Sequence, residues 1–448
     1  MVSDRMSALA DFIAEHSGDD PDRLALQKER WPGIDVAAAA GTLVSRRKLA
    51  GKAPLWAGTE GLVMPRTLSA EQCSGEAAAR HKAAVISRLW NGLGDGGRTP
   101  RIADLTGGLG VDCLEFSRIA EAVLYNDMNP VLAEAAEHNF AVLGADNIEV
   151  CSFEADGDSL RNGALAQRLR DFRPDVIYLD PARRDGCGKK VFLLEDCSPD
   201  ILKIKDMLLE AAPILMVKLS PMADIAMAIG RLGAECAGLQ IIEAGGECKE
   251  LLAILSRGKS LSSDSAADGE CVCSVVCIDV DSAGGPPCFR FTRSEEASCG
   301  ISRLASSEDI RPGALLFEPG KALMKAGCFK LFGEKFGIPL LGRDTHYYIT
   351  DGMANCRMSG SVGESGSPSG LMGFGKTFRI LDLTPLSGKS VKDFGKSHPE
   401  AEVTARNVKM TSEELRKRLG VKSSDRFHIF ALHVDKEKCN MLIFCEKA

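Results

Sequence analysis

The residues best equipped for chemistry in this 448-residue chain are the run Asp104-Leu-Thr-Gly-Gly-Leu-Gly110 and three later acids. An apolar stretch, Arg101–Leu105, precedes the run and a helical pattern begins at Asp112, so the glycines fall in a sharp strand-to-helix turn. Such a turn needs positive φ and no side chains where a ligand lies, which Gly108 and Gly110 supply. The helix start adds unpaired N–H groups. Asp127 closes the next strand-like run, where a carboxylate accepts both hydroxyls of a ribose. Asp156 follows the third strand and is placed to accept from an adenine amino group. Asp104, Thr106, Gly108, Gly110, Asp112, Asp127 and Asp156 are therefore the expected cofactor residues. Each acid alone reads equally well as a loop carboxylate; in register they point to one nucleoside-bearing ligand.

A second constellation, Asp180-Pro-Ala-Arg183, ends the fourth strand-like run. In open α/β sheets ligands bind at the carboxyl ends of the strands. Asp180 there can accept hydrogen bonds from an amine, Pro181 stiffens the loop, and Arg183 with Arg184 can grip phosphate or carboxylate. Asp180, Pro181 and Arg183 are the expected catalytic residues. Lys218 and Ser220, after the fifth strand, border the same crevice.

The surrounding pattern supplies the scaffold. Met6, Leu9, Phe12 and Ile13 recur at helical spacing, and Ser69 with Gln72 reads as a capping box opening a helix to about Trp90. Strand-like runs at 101–105, 122–126, 147–151, 175–179 and 214–219 alternate with helical stretches at 112–120, 130–143, 159–171 and 198–211. Such alternation predicts a parallel sheet covered on both faces. Gly238–Glu243 and Glu250–Ser256 are then separated by a loop too short for a helical crossover, so they should pair antiparallel. Five parallel strands and a terminal hairpin are the order of a class I methyltransferase, not of a dehydrogenase. A nicotinamide reading also fails at Cys113, which stands where G-x-G-x-x-G needs its third glycine.

Composition sets the remaining bounds. No apolar run reaches the ~18 residues of a membrane span, and the acidic N-terminus does not read as a signal peptide. Sixteen scattered cysteines suit a reducing compartment, so a cytoplasmic location is expected. Cys271, Cys273 and Cys277 share one face of a strand-like run, with no further ligand at zinc spacing, so no metal is expected. The net charge of −7 is uneven: residues 371–448 hold 15 Lys+Arg against 10 Asp+Glu. A basic C-terminal piece suits a polyanion and equally an ordinary solvated surface. Thr411 and Glu414 form a capping box before Arg416, Lys417 and Arg418, a cluster suited to an RNA backbone or to solvent. Ala322, Ala326, Phe329, Phe332 and Phe336 make one helical face. Arg257–Glu270 and Ser359–Gly370 read as linkers. Gly370–Thr377 matches G-x-x-x-x-G-K-[ST] but precedes a strand-like run, so it is not read as a phosphate loop.

Several motifs together carry a family resemblance. Asp104–Asp112 resembles the cofactor motif of class I methyltransferases, including a bacterial small-subunit rRNA guanine-N2 methyltransferase group. The whole chain resembles the bacterial THUMP-like-domain class I methyltransferases through Glu71-Gln-Cys-Ser-Gly-Glu76, Leu179-Asp-Pro-Ala-Arg183, Glu247-Cys-Lys-Glu250, Phe317-Glu-Pro-Gly320 and Lys325-Ala-Gly-Cys-Phe-Lys330. Val403–Leu419 and Arg426–Leu432 fit as well. The resemblance implies an α/β architecture: an N-terminal helical region (1–95), a Rossmann-like class I methyltransferase sheet with terminal β-hairpin (96–258), and ferredoxin-like (270–355) and THUMP-like (371–448) α+β domains. It implies S-adenosyl-L-methionine as cofactor and RNA, tRNA or rRNA, as substrate. The rival readings are methylation of a protein or small molecule, and a non-catalytic RNA-binding protein that keeps the fold. The chain departs from amino-directed nucleic-acid methyltransferases, which carry Asp/Asn-Pro-Pro and a stacking aromatic. Ala182 and Arg183 stand in those places, which counts against base amino methylation.

Overall fold

Apolar strands alternating with capped helices build the first half of the chain. A computed structural model describes residues 2–93, 97–183, 194–257, 270–279, 286–301, 303–350 and 371–448. The chain divides into two units, one of residues 1–240 with 250–271 and one of 241–249 with 272–448.

The first unit opens with six helices: α1 (Val2–Glu15), α2 (Pro21–Leu26), α3 (Val36–Leu49), α4 (Pro54–Gly58), α5 (Thr67–Gln72) and α6 (Glu76–Gly92). Met6, Leu9, Phe12 and Ile13 are buried with Leu24, Val36, Leu43 and Val63, as their spacing predicts. Asp20 and Asp35 cap α2 and α3 by accepting the Arg23 and Ala38 N–H groups. The expected capping box at Ser69 does not form. Ser69 lies inside α5, which ends when the Cys73 N–H bonds the Ser69 carbonyl. Gly75 is extended (φ −75°, ψ 152°), and α6 starts after it, with the Glu76 N–H on the Lys52 carbonyl at 2.8 Å. One predicted helix is therefore two, and the break at 73–75 faces the site described below.

The sheet of this unit follows: β1 (Arg101–Asp104), α7 (Val111–Ser117), β2 (Ala122–Asn126), α8 (Pro130–Val142), β3 (Ile148–Cys151), α9 (Gly157–Asn162), α10 (Ala164–Phe172), β4 (Val176–Leu179), α11 (Ile201–Ala211), β5 (Ile214–Leu219), α12 (Ile225–Leu232), β6 (Cys236–Ala244) and β7 (Glu247–Ser256). The strand order is β6-β7-β5-β4-β1-β2-β3. Strands β5, β4, β1, β2 and β3 are parallel and β7 runs antiparallel to β5. This is the expected methyltransferase order, a Rossmann-like sheet with its last strand reversed. The helix predicted over 159–171 splits at Gly163, where a Cβ would meet Ser159 Cα at 2.7 Å.

In the second unit β8 (Val272–Cys277) pairs antiparallel with β9 (Cys288–Phe291), and α13 (Arg293–Ser298) follows. Cys273 and Cys277 are buried, as is Cys271 in the first unit. A six-stranded sheet comprises β10 (Leu315–Pro319), β11 (Tyr348–Thr350), β12 (Gly375–Pro385), β13 (Glu402–Arg406), β14 (Phe427–Val434) and β15 (Cys439–Lys447), in the order β11-β10-β12-β15-β14-β13. The helical face expected over 322–336 is carried by α14 (Lys321–Ala326) and α15 (Phe329–Phe336), parted by Gly327 at φ +70°. Helices α16 (Gly388–Ser397) and α17 (Ser412–Leu419) bury Phe394 and Leu415 with Ile429 and Leu442 of the sheet. The Thr411–Glu414 capping box is present in both directions. Arg416 is ion-paired with Glu402 and Lys417 with Glu413, so two of the three clustered cations are already neutralised. The G-x-x-x-x-G-K-[ST] match is a strand: Gly375 and Lys376 begin β12, and a Cβ on Gly375 would sit 2.1 Å from the Glu318 carbonyl. Residues 258–269 and 359–370 of the expected linkers lie outside the described residues.

Candidate active site

The carboxyl ends of β1, β2, β3 and β4 carry the predicted motifs, and one buried side chain ties three of these ends together. Asn126, 0 % exposed, donates to the Leu105 and Phe153 carbonyls at 3.0 Å each and accepts the Phe153 N–H at 2.8 Å. Sequence reasoning missed it; its only signal is a polar residue ending an apolar strand, one place before the acid. The glycine turn is held by Gly107 N–H on the Asn126 carbonyl (2.8 Å) and Gly110 N–H on the Gly107 carbonyl (2.9 Å). Gly108 and Gly110 have φ of +54° and +94°, as the turn requires. Asp127 accepts the Gly108 N–H at 2.9 Å on one oxygen and the Asn129 N–H at 2.8 Å on the other. Partial burial raises its carboxyl above the usual range, opposed by those two N–H bonds and by the Arg66 charge.

A cavity of about 810 Å³ opens over these loops, a volume in the usual range for small-molecule sites. Thr106, Gly108, Gly110, Asp112, Asp127, Asp156 and Asp180 line it. So do Ser69, Gln72, Cys73 and Ser74, which sequence reasoning placed on an uninterrupted helix. Asp156 also caps α9, accepting the Ser159 N–H at 2.7 Å. Asp180 is held at both ends: its N–H donates to Thr106 Oγ1 at 2.6 Å, and its carboxylate pairs with Lys218 at 2.6 Å. Thr106 thus grips the Asp180 loop as well as lining the cavity. The Arg183 backbone pairs with Cys197, its side chain and Arg184 lie outside the described residues, and Pro181 is not among the lining residues.

Asp104 is not at the surface of the cavity. It is 1 % exposed and supports the loop from beneath, accepting the Thr106 N–H at 3.0 Å and the Cys113 thiol at 3.2 Å. Burial pushes its carboxyl up to about 7. A raised carboxyl binds a proton in the folded state that the unfolded chain has released, so its stability contribution is lost as pH rises from about 4 to 7. Asp104→Asn should therefore gain on wild type across that window. The bound is about 4 kcal/mol, three pH units at ~1.4 kcal/mol each; a difference in unfolding free energy that stays flat from pH 5 to 8 would contradict this.

Asp112 sits deeper than a ligand residue at a cavity wall needs to. Lys82 of α6, wholly buried, reaches Asp112 Oδ1 at 2.9 Å and Ser74 Oγ at 2.6 Å. Ser74 and Tyr178 donate to Asp112 Oδ2 at 2.8 and 3.1 Å. Glu250 lies 3.4 Å from Lys82 and 4.0 Å from Lys218. Burial alone would raise the Asp112 carboxyl, but Lys82 and Lys218 outweigh it and hold it below the usual range.

The glycine cradle tests whether a nucleoside cofactor fits. A Cβ on Gly107 would meet the Tyr125 ring at 2.2 Å and one on Gly110 the Phe140 ring at 2.7 Å, whereas one on Gly108 meets only the Thr106 carbonyl, at 3.9 Å. The loop is packed from below and bare above, beside a carboxylate. The residues fit such a ligand.

Comparisons with known proteins agree with this geometry. Residues 315–355 match a ferredoxin-like domain family and residues 375–447 a THUMP domain-like family. Ribosomal RNA small subunit methyltransferase J of Yersinia enterocolitica is 29 % identical over 186 residues, covering 40 % of this chain and 59 % of that protein. An uncharacterized S-adenosylmethionine-dependent methyltransferase of Mycobacterium tuberculosis is 23 % identical over 86 % of this chain and 88 % of its own length. The crystal structure of a candidate methyltransferase from Porphyromonas gingivalis W83 superposes with a TM-score of 0.78 and 26 % identity, covering 99 % of this chain and 98 % of that one. With the strand order and the loop between β1 and α7, these findings show an S-adenosylmethionine-dependent methyltransferase with a Rossmann-like sheet, followed by ferredoxin-like and THUMP domain-like segments.

Proposed function

We propose that this protein transfers a methyl group from S-adenosylmethionine to RNA, tRNA or rRNA, in the cytoplasm. The observation that carries the cofactor half is the Asp127 carboxylate, bonded to the Gly108 N–H at 2.9 Å on the rim of the 810 Å³ cavity. Asp127 would take the ribose hydroxyls, Asp156 the adenine amino group, and Gly108 and Gly110 would let the chain approach closely. When bound, the cofactor supplies a methyl group on a sulfonium sulfur, an electrophile that needs no metal or redox partner. The chain's task is then orientation and exclusion of water. Asp180 would accept a hydrogen bond from the nucleophile, whose proton passes to solvent as its lone pair bonds the methyl carbon and the C–S pair stays on sulfur. RNA is favoured by the THUMP domain-like match, by the rRNA methyltransferase among the relatives and by the +5 balance of residues 371–448. A cytoplasmic site is favoured by the cysteines: no disulfide joins the described ones. Among the described residues no helix is long and apolar enough to cross a membrane.

Calorimetry with S-adenosylmethionine and S-adenosylhomocysteine should show binding by the full chain. Asp127→Ala should weaken it by about 10- to 100-fold, the loss of charge-assisted hydrogen bonds worth roughly 1.5–3 kcal/mol. Tritiated methyl transfer into fractionated RNA, protein and metabolite pools tests the acceptor. Label confined to protein or metabolites would replace the RNA reading, and no cofactor binding would leave a non-catalytic scaffold.

A further inference from the structure

Asp180 is carried by a loop, and nothing in a loop acid's own covalent structure fixes which oxygen it offers to a ligand. The neighbouring strand does. Lys218 stands on β5, its side chain 14 % exposed, and its Nζ lies 2.6 Å from Asp180 Oδ2. The same ammonium lies 3.3 Å from Ser74 Oγ and 4.0 Å from Glu250. Ser74 is itself buried, donating to Asp112 and accepting from Lys82 at 2.6 Å. The break between α5 and α6 delivers this hydroxyl to the cavity wall, which gives the Glu71–Glu76 segment a role no helix there could fill.

We propose that Lys218 and Ser74 are positioning residues for methyl transfer: the Lys218 ammonium, steadied by the Ser74 hydroxyl, holds Asp180 Oδ2 and so presents Oδ1 to the substrate. The proposal rests on the reading that Asp180 faces the acceptor. An ammonium on a strand is a firmer anchor than a surface partner, since its own rotamer is set by packing. The pair is not an exposed ion pair of negligible worth, because Lys218 is largely removed from solvent. Thr106 fixes the Asp180 backbone and Lys218 its side chain, so both degrees of freedom of the acid are controlled.

Lys218→Met keeps the length of the side chain and removes the charge. Lys82 still partners Asp112 and Glu250, and Asp180, 32 % exposed, can turn to water. With tritiated S-adenosylmethionine and the pool that wild type labels, kcat should fall about 100-fold, the effect of misplacing a reacting contact by ~1 Å. The cofactor Kd from calorimetry should stay within about threefold, a factor worth well under 1.4 kcal/mol. Adding Lys218→Met to Asp180→Asn should slow the reaction no further, because the lysine acts through that acid. Ser74→Ala, which removes no charge, should give a smaller loss with the same non-additivity. A crystal structure of Lys218→Met, read without any assay, should show Asp180 in more than one rotamer. A single wild-type rotamer, additive losses, a wild-type kcat or a matching loss of cofactor affinity would overturn the proposal. Wild-type turnover by Asp180→Asn would instead sink the underlying reading of Asp180.

Discussion

Lys82→Met should destabilise the first unit by about 3–5 kcal/mol, the cost of removing one partner from a buried ion pair. Lys82 is 0 % exposed, and its ammonium is shared by Asp112, Glu250, Ser74 and the Tyr178 hydroxyl. Methionine fills the space of the stem but leaves Asp112 and Glu250 facing each other with only Lys218 between them. Glu250 Oε1 and Asp112 Oδ1 are both buried without a hydrogen-bond partner even in wild type, but Asp112 keeps the Ser74 and Tyr178 donors on its other oxygen, so Glu250 is the more dependent on the ammonium. Adding Glu250→Gln should therefore recover part of the stability, whereas adding Lys218→Met should cost more. The pH dependence has a definite sign. Asp112 is held below its ordinary 3.8, so its contribution is present above that value and fades as pH falls through the depressed one. The gap between wild type and Lys82→Met should thus narrow as pH falls, starting where the variant's Asp112, raised by burial once Lys82 is gone, takes up its proton and ending at the depressed wild-type value. Urea unfolding at neutral and acidic pH measures both, and a gap below 1 kcal/mol at pH 7 would mean that water has replaced the ammonium.

That cluster also marks where sequence reading stops. The five strands, the reversed hairpin and the acids at Asp127 and Asp156 were legible because each is written locally, in apolar runs and in the residues that end them. Lys82, Asp112 and Glu250 are separated by as many as 168 positions and meet only when α6, α7 and β7 pack on one spot. No local pattern distinguishes Lys82 from any other lysine on an amphipathic helix. The Ser69–Gln72 motif misled for the opposite reason. It is a valid local signal for a helix start, but Lys52 and Leu55 offer Glu76 better partners: its N–H donates to the Lys52 carbonyl at 2.8 Å, and the Leu55 N–H binds its Oε1 at 2.7 Å. Tertiary bonds fixed the boundary seven residues later. Asp104 and Asp112 show a third case: both belong to the predicted turn, but Asp104 lies beneath it, away from the cavity, and Asp112 lines the cavity while paired with buried Lys82.

The sharpest trial of the cradle is a pair of adjacent substitutions, Gly107→Ala and Gly108→Ala, with opposite expected readouts. At Gly107 the added methyl carbon would lie 2.2–2.8 Å from three atoms of the Tyr125 ring. That ring is 0 % exposed, packs edge-on against Phe140, and donates its hydroxyl to the Gly108 carbonyl at 2.6 Å. It cannot retreat without surrendering that bond. Overpacking at roughly 1–3 kcal/mol and a lost buried hydrogen bond of similar size together predict a loss of about 2–6 kcal/mol. At Gly108 the methyl meets only the Thr106 carbonyl at 3.9 Å, so the penalty is the left-handed backbone at φ +54°, about 1–2 kcal/mol. On the proposed reading of the site, the methyl there occupies space that the cofactor needs. Gly108→Ala should therefore remain folded and lose S-adenosylmethionine affinity, while Gly107→Ala should lose stability first. Thermal unfolding and calorimetry on the two variants separate these outcomes. A Gly108→Ala protein that binds the cofactor as wild type does would show that the ligand does not pass over this loop, and the assignment of Asp127 would fall with it.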